Sequence, residues 1–372
     1  MKPEQKSLRL LGVTRSKGKM YEYGLPEEHH IAINNDPVKL FFISIALLGD
    51  LSAAISRGEK ESFLTSELKE HLRFSAYFFD AYLQSKLNGS YDSYLLLLGA
   101  ASYYLCDLPG SSSVLIQHIQ ERELVLEAGG LENLLLFLLR GDWETDIEEK
   151  GIYGTILTDM IRGVCQFYRD GEGEDNLFES AERLRSTAYE EGTPRQLLFA
   201  DVAMAVLRRK IENSTWKTLP LYSNLPLDIW RRVLQKDSFI KELWPAQHLL
   251  GKMGVLQGKS AVVQMPTSAG KTKSTELILR SAFLAKRTSL AVIIAPFRAL
   301  CNEIQETLAV AFDKEAITVN GLSDVLQTDY DIVDFMVERK ILVATPEKML
   351  YILRHEPLLG QHIGCLLYTS PS

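Results

Sequence analysis

Hydrophobic residues recur at intervals of three and four over most of the first 240 positions of the chain. Two segments show this spacing, at Leu40, Ile43, Leu47 and Leu51 and at Leu68, Leu72, Ala76, Phe79 and Leu83. Such spacing gathers apolar side chains on one face of an α-helix. Glycine and proline interrupt it at 108–110, 129–130, 170–173 and 192–194. We predict an all-helical domain over residues 1–240, whose helix–turn–helix units show no fixed repeat period.

The pattern changes near residue 241, where short apolar and β-branched runs alternate with helical segments. The runs predict strands at Ala261–Met265, Leu290–Ala295, Ile317–Val319 and Lys340–Ala344. The helical patterns between them cover 272–285, 298–312 and 329–338. Apolar strands separated by helices are typical of a parallel sheet that is covered on both faces. We therefore predict an α/β domain over residues 241–372.

Composition places the chain among globular proteins. It has 372 residues, of which 46% are hydrophobic and 24% charged, values that argue against long disordered segments and favour two or more domains. The amino terminus lacks the apolar core of a signal peptide, and the longest apolar segment, 94–106, is too short to cross a bilayer. The four cysteines lie far apart, as expected for reduced thiols. We expect a cytoplasmic protein without a membrane partner.

Charge is distributed unevenly. Residues 1–240 carry 27 Lys and Arg against 35 Asp and Glu, whereas residues 241–372 carry 14 against 13. An acidic surface repels the phosphate backbone of a nucleic acid. A nucleic-acid partner is therefore expected to bind the second domain, and the acidic helical domain is interpreted as a regulatory or protein-binding region.

The segment A-V-V-Q-M-P-T-S-A-G-K-T at 261–272 combines a predicted strand, a loop of small residues and the start of a predicted helix. Backbone amides in such a loop, together with the positive end of the helix, hold phosphate groups. We predict an ATP-binding loop formed by Thr267, Ser268, Ala269, Gly270, Lys271 and Thr272, with Lys271 on the β- and γ-phosphates and Thr272 on Mg²⁺. The general pattern begins with glycine, whereas this chain has Met265 there.

The string P-T-S-A-G-K-T resembles motif I of superfamily-2 helicases, the DEAD/DEAH-box and Ski/Lhr-type enzymes. Upstream, L-W-P-A-Q resembles the element in which a family glutamine hydrogen-bonds adenine, so the resemblance implies that role for Gln247. A glutamine on a solvated helix face is the structural alternative. The resemblance covers about a third of the chain and implies a RecA-like fold for the second domain, with ATP and Mg²⁺ as cofactors.

Two later segments resemble the family's nucleic-acid-contacting loops. The sequence A-P-F-R-A-L resembles motif Ia and implies backbone contacts from Pro296, Arg298 and Ala299. The sequence V-A-T-P-E-K resembles motif Ib and implies the same for Thr345 and Pro346. A water-facing arginine at the first loop, and a helix cap made by Thr345 before Pro346 at the second, are the structural alternatives.

The family's Asp-Glu-x-His strand, which positions Mg²⁺ and the attacking water, has no counterpart before the chain ends in C-L-L-Y-T-S-P-S. The interpretation is a truncated domain with a non-native tail at 365–372, expected to hydrolyse ATP negligibly and to expose an unpaired apolar sheet edge. We expect Cys365–Tyr368 to occupy part of the vacated strand position.

These patterns favour the front part of an ATP-dependent helicase or translocase that binds single-stranded DNA or RNA, by analogy with helicases of bacterial anti-phage defence. The sequence does not separate DNA from RNA. Two other interpretations stay open. One is a P-loop NTPase that does not act on nucleic acid, and the other is an inactive helical scaffold with a degenerate nucleotide domain.

Overall fold

The computed structural model describes residues 4–33, 38–58, 66–84, 92–119, 127–143, 151–265, 270–321 and 339–369. The chain divides into two compact units, Met1–Glu212 and Asn213–Ser372. The helical segments between 213 and 240 therefore group with the unit that contains the strands. Each unit has its own hydrophobic core, in agreement with the change of hydrophobic pattern near residue 241.

The described part of the first unit is helical and contains no strand, which confirms the predicted class. Its helices are α1 Gln5–Glu22, α2 Val38–Ser56, α3 Ser66–Gln84, α4 Asp92–Leu105, α5 Pro109–Gln117, α6 Leu131–Arg140, α7 Gly154–Asp170, α8 Glu174–Glu191 and α9 Pro194–Glu212, with a short 3-10 helix at Glu27–His29. Most helices pack against their neighbours in sequence, whereas α9 also packs against α2, α4 and α6.

Helix α9 is the centre of the first unit. Its residues from Phe199 to Leu207 are all buried, and among them is one carboxylate, Asp201. Asp201 accepts hydrogen bonds from Arg185 Nε at 2.6 Å and from the Tyr189 hydroxyl at 2.6 Å. These bonds replace the water that the carboxylate loses on burial, which a buried charge requires.

The second unit begins with helices and continues into an α/β sheet. Its helices are α10 Thr215–Ser223, α11 Leu227–Leu234, α12 Pro245–Lys252, α13 Lys271–Leu284, α14 Arg298–Ala311, α15 Pro346–His355 and α16 Leu359–His362, with a 3-10 helix at Val255–Gln257. Its strands are β1 Leu290–Ile294, β2 Ile317–Gly321, β3 Arg339–Ala344 and β4 Ile363–Tyr368. The strands form one parallel sheet in the order β2-β3-β1-β4.

The two faces of the sheet are covered by different helices. Ala291 and Ile293 of β1 pack in a cluster with Leu279 of α13 and Leu308 of α14. The alternate residues Leu290 and Val292 lie in a second cluster, with Leu342, Met349 and Leu359 from β3, α15 and α16. Because successive side chains of a strand point to opposite faces, this division confirms that the central strands β1 and β3 of the parallel sheet are buried on both faces.

Three of the four predicted strands are confirmed, and one is wrong. Ala261–Met265 forms no strand, and Val262 is fully exposed to solvent. Both edges of β1 are occupied by β3 and β4, so this segment finds no edge of β1 to pair with. Its β-branched residues favour a strand only where a partner is present. Residues Cys365–Tyr368 were expected in a strand position, and they form the last four residues of β4. The helix predicted at 329–338 lies outside the described residues.

A buried ionic network links α13 to α14 and to the turn that follows α14. The Arg280 side chain is 2% exposed and donates to Glu276 Oε1 at 2.8 Å and to Glu315 Oε1 at 2.6 Å. It also donates to the Ala311 carbonyl, and its guanidinium lies 4.4 Å from the ring centre of Phe312. Since these partners lie on α13, on α14 and in the turn that follows α14, one arginine joins three parts of the covering layer.

None of the described helices combines the length and hydrophobicity needed to span a membrane. The four cysteines are free thiols, of which Cys106 and Cys301 are buried. Burial raises the pKa of the Cys106 thiol to about 12, so it stays protonated at neutral pH.

We expect Arg280→Met to lower the free energy of unfolding of the second unit by about 3 kcal/mol or more, because Glu276 and Glu315 would lose their buried partner. Lys273→Met is the control, since its pair with Glu276 is 41% exposed on the lysine side and contributes less than about 1 kcal/mol. Urea unfolding followed by tryptophan fluorescence measures the effect, because three of the four tryptophans belong to this unit. Equal effects of the two variants would contradict the assigned role of Arg280.

Candidate functional site

The loops predicted to bind nucleic acid leave neighbouring strands at the same edge of the sheet. Strand β1 leads through Pro296 into α14, and β3 leads through Thr345 into α15. The Ala295 amide donates to the Ala344 carbonyl at 3.0 Å, so the parallel pairing continues into the two loops. We call this side of the sheet, where the strands end, the carboxyl edge.

The first loop presents exposed groups. Phe297, Arg298 and Ala299 are exposed and Pro296 is half-buried. Arg298 is the first residue of α14, whose first turn has no side-chain cap and no acidic residue. Free amide donors and an exposed guanidinium at a helix amino terminus together favour an anion.

The second loop is built around a capped helix. Thr345 is 9% exposed, and its Oγ1 accepts a hydrogen bond from the Lys348 amide at 3.5 Å. Pro346 occupies the first helical position. The structural alternative for this pair, a cap followed by proline, is therefore confirmed, and the Thr345 hydroxyl is already partly used by its own helix.

Lys348, in the first turn of α15, was not predicted as a site residue. Burial raises the pKa of the Cys301 thiol in α14, whereas its bond to the Ala295 carbonyl and the positive charge of Lys348 act in the opposite direction. The charge of Lys348, in the first turn of α15, therefore acts on a side chain of α14.

The predicted phosphate loop ends at a helix amino terminus. Thr267, Ser268 and Ala269 lie outside the described residues, whereas Gly270, Lys271 and Thr272 are described. Gly270 precedes the first turn of α13 with φ of 81°, a left-handed conformation that favours glycine. The first turn carries neither a side-chain cap nor an acidic residue, Lys271 is half-buried, and Thr272 is exposed.

Gln247 lies next to this helix start although it is 23 positions earlier in the chain. Its side chain is buried, and a Cβ placed on Gly270 would lie 2.9 Å from Gln247 Nε2. Gln247 Oε1 accepts from the Trp244 amide at 2.7 Å, which leaves Nε2 on the side of the loop. The structure thus corrects the alternative of a solvated glutamine and brings two predicted site residues together.

The strand expected before the phosphate loop is absent, because 261–265 is irregular and largely exposed. The strand–loop–helix context is therefore present only in its second half. The described residues also contain no group of three or more His, Cys, Asp or Glu side chains arranged to hold a metal. The assignment of Thr272 to Mg²⁺ stays a prediction.

The two loops and the start of α13, where the phosphate loop is predicted, lie on the same side of the sheet. Helix α13 leads into β1 through a short turn at its carboxyl end and packs along β1 through Leu279 and Phe283. It must therefore run antiparallel to the strand, as crossover helices of parallel sheets do. Its amino terminus, with Gly270 and Lys271, consequently points toward the carboxyl edge.

Comparison with known proteins agrees with this geometry. Residues 247–366 match the family model for the DEAD/DEAH box helicase. Similar proteins include the ATP-dependent DNA helicase Hel308 of Thermococcus kodakarensis, 35% identical over 133 residues, which are 35% of this chain and 11% of the relative. The Hel308 of Pyrococcus horikoshii is 34% identical over 127 residues, or 34% of this chain and 17% of the relative. Residues 247–366 are thus similar to superfamily-2 helicases, as the motifs predicted, and this similarity supports a partial RecA-like domain.

Another relative matches more of the chain. Hachiman protein HamB of Bacillus cereus is 25% identical over 305 residues, which cover 77% of this chain and 27% of HamB. A match of this length exceeds the second unit and therefore includes part of the helical unit. The chain spans about a quarter of HamB and less than a fifth of either Hel308 protein.

We expect Gly270→Ala to destabilise the second unit by about 1–2 kcal/mol, because alanine resists the left-handed conformation and its Cβ would press on Gln247 Nε2. In a Gln247→Ala background the steric part of this cost should disappear while the backbone part stays. Gly360→Ala is the control, since Gly360 has ordinary backbone angles and its nearest neighbour would be 3.7 Å away. Thermal unfolding compares the variants, and a Gly270→Ala protein as stable as the control would contradict the described loop geometry.

Proposed function

We propose that the protein acts as an ATP-dependent translocase or helicase that binds ATP at the amino terminus of α13 and a single nucleic-acid strand at the loops after β1 and β3. The observation that carries the proposal is the meeting of Gln247 with Gly270 at an uncapped helix start, on the side to which both loops also point. A nucleotide bound at the start of α13 would lie on the same side of the sheet as a strand bound at the two loops. ATP binding and strand movement could then be coupled through the same sheet.

Each residue near Gly270 has a chemical role in this proposal. The first amides of α13 and of the loop hold the phosphate tail, Lys271 pairs with the β- and γ-phosphates, and Thr272 ligates Mg²⁺. Gln247 Nε2 donates to the adenine edge, while its Oε1 keeps the cap on α12 and so fixes the side chain. Bound Mg²⁺ would neutralise charge on the phosphates.

The strand-binding role falls to the exposed loop groups. Arg298 and the uncapped amides of α14 contact the phosphate backbone, with Pro296 and Ala299 shaping the close approach. Thr345 and Pro346 present the start of α15, and its dipole favours phosphate even though the hydroxyl serves as a cap. Such contacts depend on the charge of the phosphate backbone and not on base sequence, so the strand can be DNA or RNA.

The helical unit is proposed to regulate the ATPase or to bind a protein partner, since residues 1–240 are acidic on balance. A role in bacterial anti-phage defence is the proposed setting, by analogy with defence helicases that carry a helical appendage. The similarity to HamB supports this setting because it extends beyond the second unit into the helical unit.

We expect Lys271→Ala to weaken binding of labelled ATP by about tenfold or more, since a hydrogen bond to a charged group contributes about 1.5–3 kcal/mol. Lys273→Ala, two positions further along the same helix, is the matched control and should bind as the unaltered protein does. Filter retention of labelled ATP with Mg²⁺ measures both. If Lys271→Ala retains ATP undiminished, ATP binding at α13 is wrong. If the unaltered protein retains no ATP, the interpretation as an inactive helical scaffold is favoured.

We expect Arg298→Gln to weaken binding of a fluorescein-labelled single strand and to reduce the slope of log K against log salt by about 0.7, the loss of one phosphate contact. Arg232→Gln, an exposed arginine of α11, is the control for lost charge alone. Fluorescence anisotropy over a salt series measures the slope. An unaltered protein that binds ATP but no strand would favour the P-loop NTPase that does not act on nucleic acid.

A further inference from the structure

A basic cavity lies at the amino edge of the sheet, the side where the strands begin. Its volume is about 530 Å³, and its lining includes Lys286, Arg287, Thr288, Arg339, Gln361 and His362. No Asp or Glu is among the described residues that line it. The whole chain has a net charge of −7, so this concentration of cations is a local feature rather than a general property of the surface.

The cavity is built where three distant segments meet. The turn after α13 supplies Lys286 and Thr288, the start of β3 supplies Arg339, and the start of β4 supplies Gly364. The Gly364 amide donates to Thr288 Oγ1 at 3.2 Å, and the β1–β4 register shifts at this position. A side chain on Gly364 would collide with Thr288, since a Cβ there would lie 2.6 Å from the threonine Cβ.

The turn holds Lys286 in an unfavourable backbone conformation. Its φ is 53°, in the left-handed region where glycine is the usual residue after a helix. The Lys286 amide donates to the Phe283 carbonyl and the Arg287 amide to the Ala282 carbonyl, which fixes the turn. The chain therefore carries a cation at a position where glycine would fit with less strain.

The cations in this cavity lack the acidic partners found elsewhere in the unit. Arg280 is saturated by two carboxylates, whereas no salt bridge joins Lys286, Arg287 or Arg339 to a carboxylate among the described residues. Arg287 Nη2 donates to the Leu256 carbonyl at 2.9 Å and to Ser281 Oγ at 3.2 Å, contacts that orient the guanidinium without neutralising it. An oriented, uncompensated guanidinium beside a lysine is suited to phosphate.

We propose that this cavity is a second phosphate-binding site, which holds the backbone of a nucleic-acid strand at the edge of the sheet opposite the loops after β1 and β3. The identification of the ligand as a nucleic acid rests on the proposed function, whereas the phosphate chemistry rests on the cavity alone. The five residues of β1 separate the two edges by about 16 Å. A strand bound at the carboxyl edge could therefore reach the cavity only by passing around the sheet, or a second strand could occupy it.

The test compares Lys286→Gly with Lys314→Gly in the full chain. Both lysines have left-handed backbone angles, with φ of 53° and 59°, but only Lys286 lines the cavity. Glycine relieves strain at both positions, so neither variant should fail to fold. The probe is a fluorescein-labelled single strand of about 16 nucleotides, titrated by anisotropy between about 50 and 200 mM salt. We expect Lys286→Gly to reduce the salt slope by about 0.7 and Lys314→Gly to leave it unchanged.

Equal slopes for the two variants would overturn the second site, whatever Arg298→Gln does. A loss with Lys286→Gly but not with Arg298→Gln would support the cavity and count against the proposed loop contact. A second experiment uses inorganic pyrophosphate as the ligand and so tests phosphate binding without a nucleic acid. If the unaltered protein binds no strand, a rise in Tm with pyrophosphate that is lost in Lys286→Gly supports a phosphate site for a free ligand. Without that rise, the proposal is wrong.

Discussion

Strand β1 is hydrogen-bonded along both of its edges, and this pairing determines where the chemistry of the second unit can occur. Parallel neighbours β3 and β4 end beside β1, so the residues that follow each strand meet at one edge. The Ala295 and Thr369 amides continue the pairing beyond β1, to the Ala344 and Ile294 carbonyls respectively. Because α13 runs antiparallel to β1, the start of α13 lies on the same side. A different partner for β1 would separate these groups.

The helices α13 and α14, which cover one face of the sheet, are held together by the buried guanidinium of Arg280. Arg280 reaches Glu276 one turn away and Glu315 after α14, and it stacks on Phe312. Lys236, from the helical segment that precedes the sheet, shares Glu315 at 2.5 Å. Buried charges are costly unless every partner is present, so this network favours a single arrangement of the helices. The first unit uses the same principle at Asp201.

Sequence reasoning succeeded where the determinant was local. Periodic apolar residues predicted the helices, and the helix predicted over 272–285 is present at Lys271–Leu284. It failed at Ala261–Met265, because β propensity does not reveal whether a partner strand is available. The position of Gln247 against Gly270 was expected only from a family resemblance, since no spacing in the sequence brings them together. The basic cavity was missed because it requires Gly364 to meet a turn 76 positions earlier.

The place of α9 within the first unit has a consequence for folding during synthesis. Helices α3, α4 and α5 pack mainly against neighbours in sequence, which allows them to associate as they leave the ribosome. Helix α2 packs against α3 and, to a similar extent, against α9, which ends at Glu212. The part of α2 that contacts α9 must therefore wait for more than a hundred further residues to be translated. Until then this part of α2 stays exposed, and the time taken to translate the chain through α9 sets how long that exposure lasts.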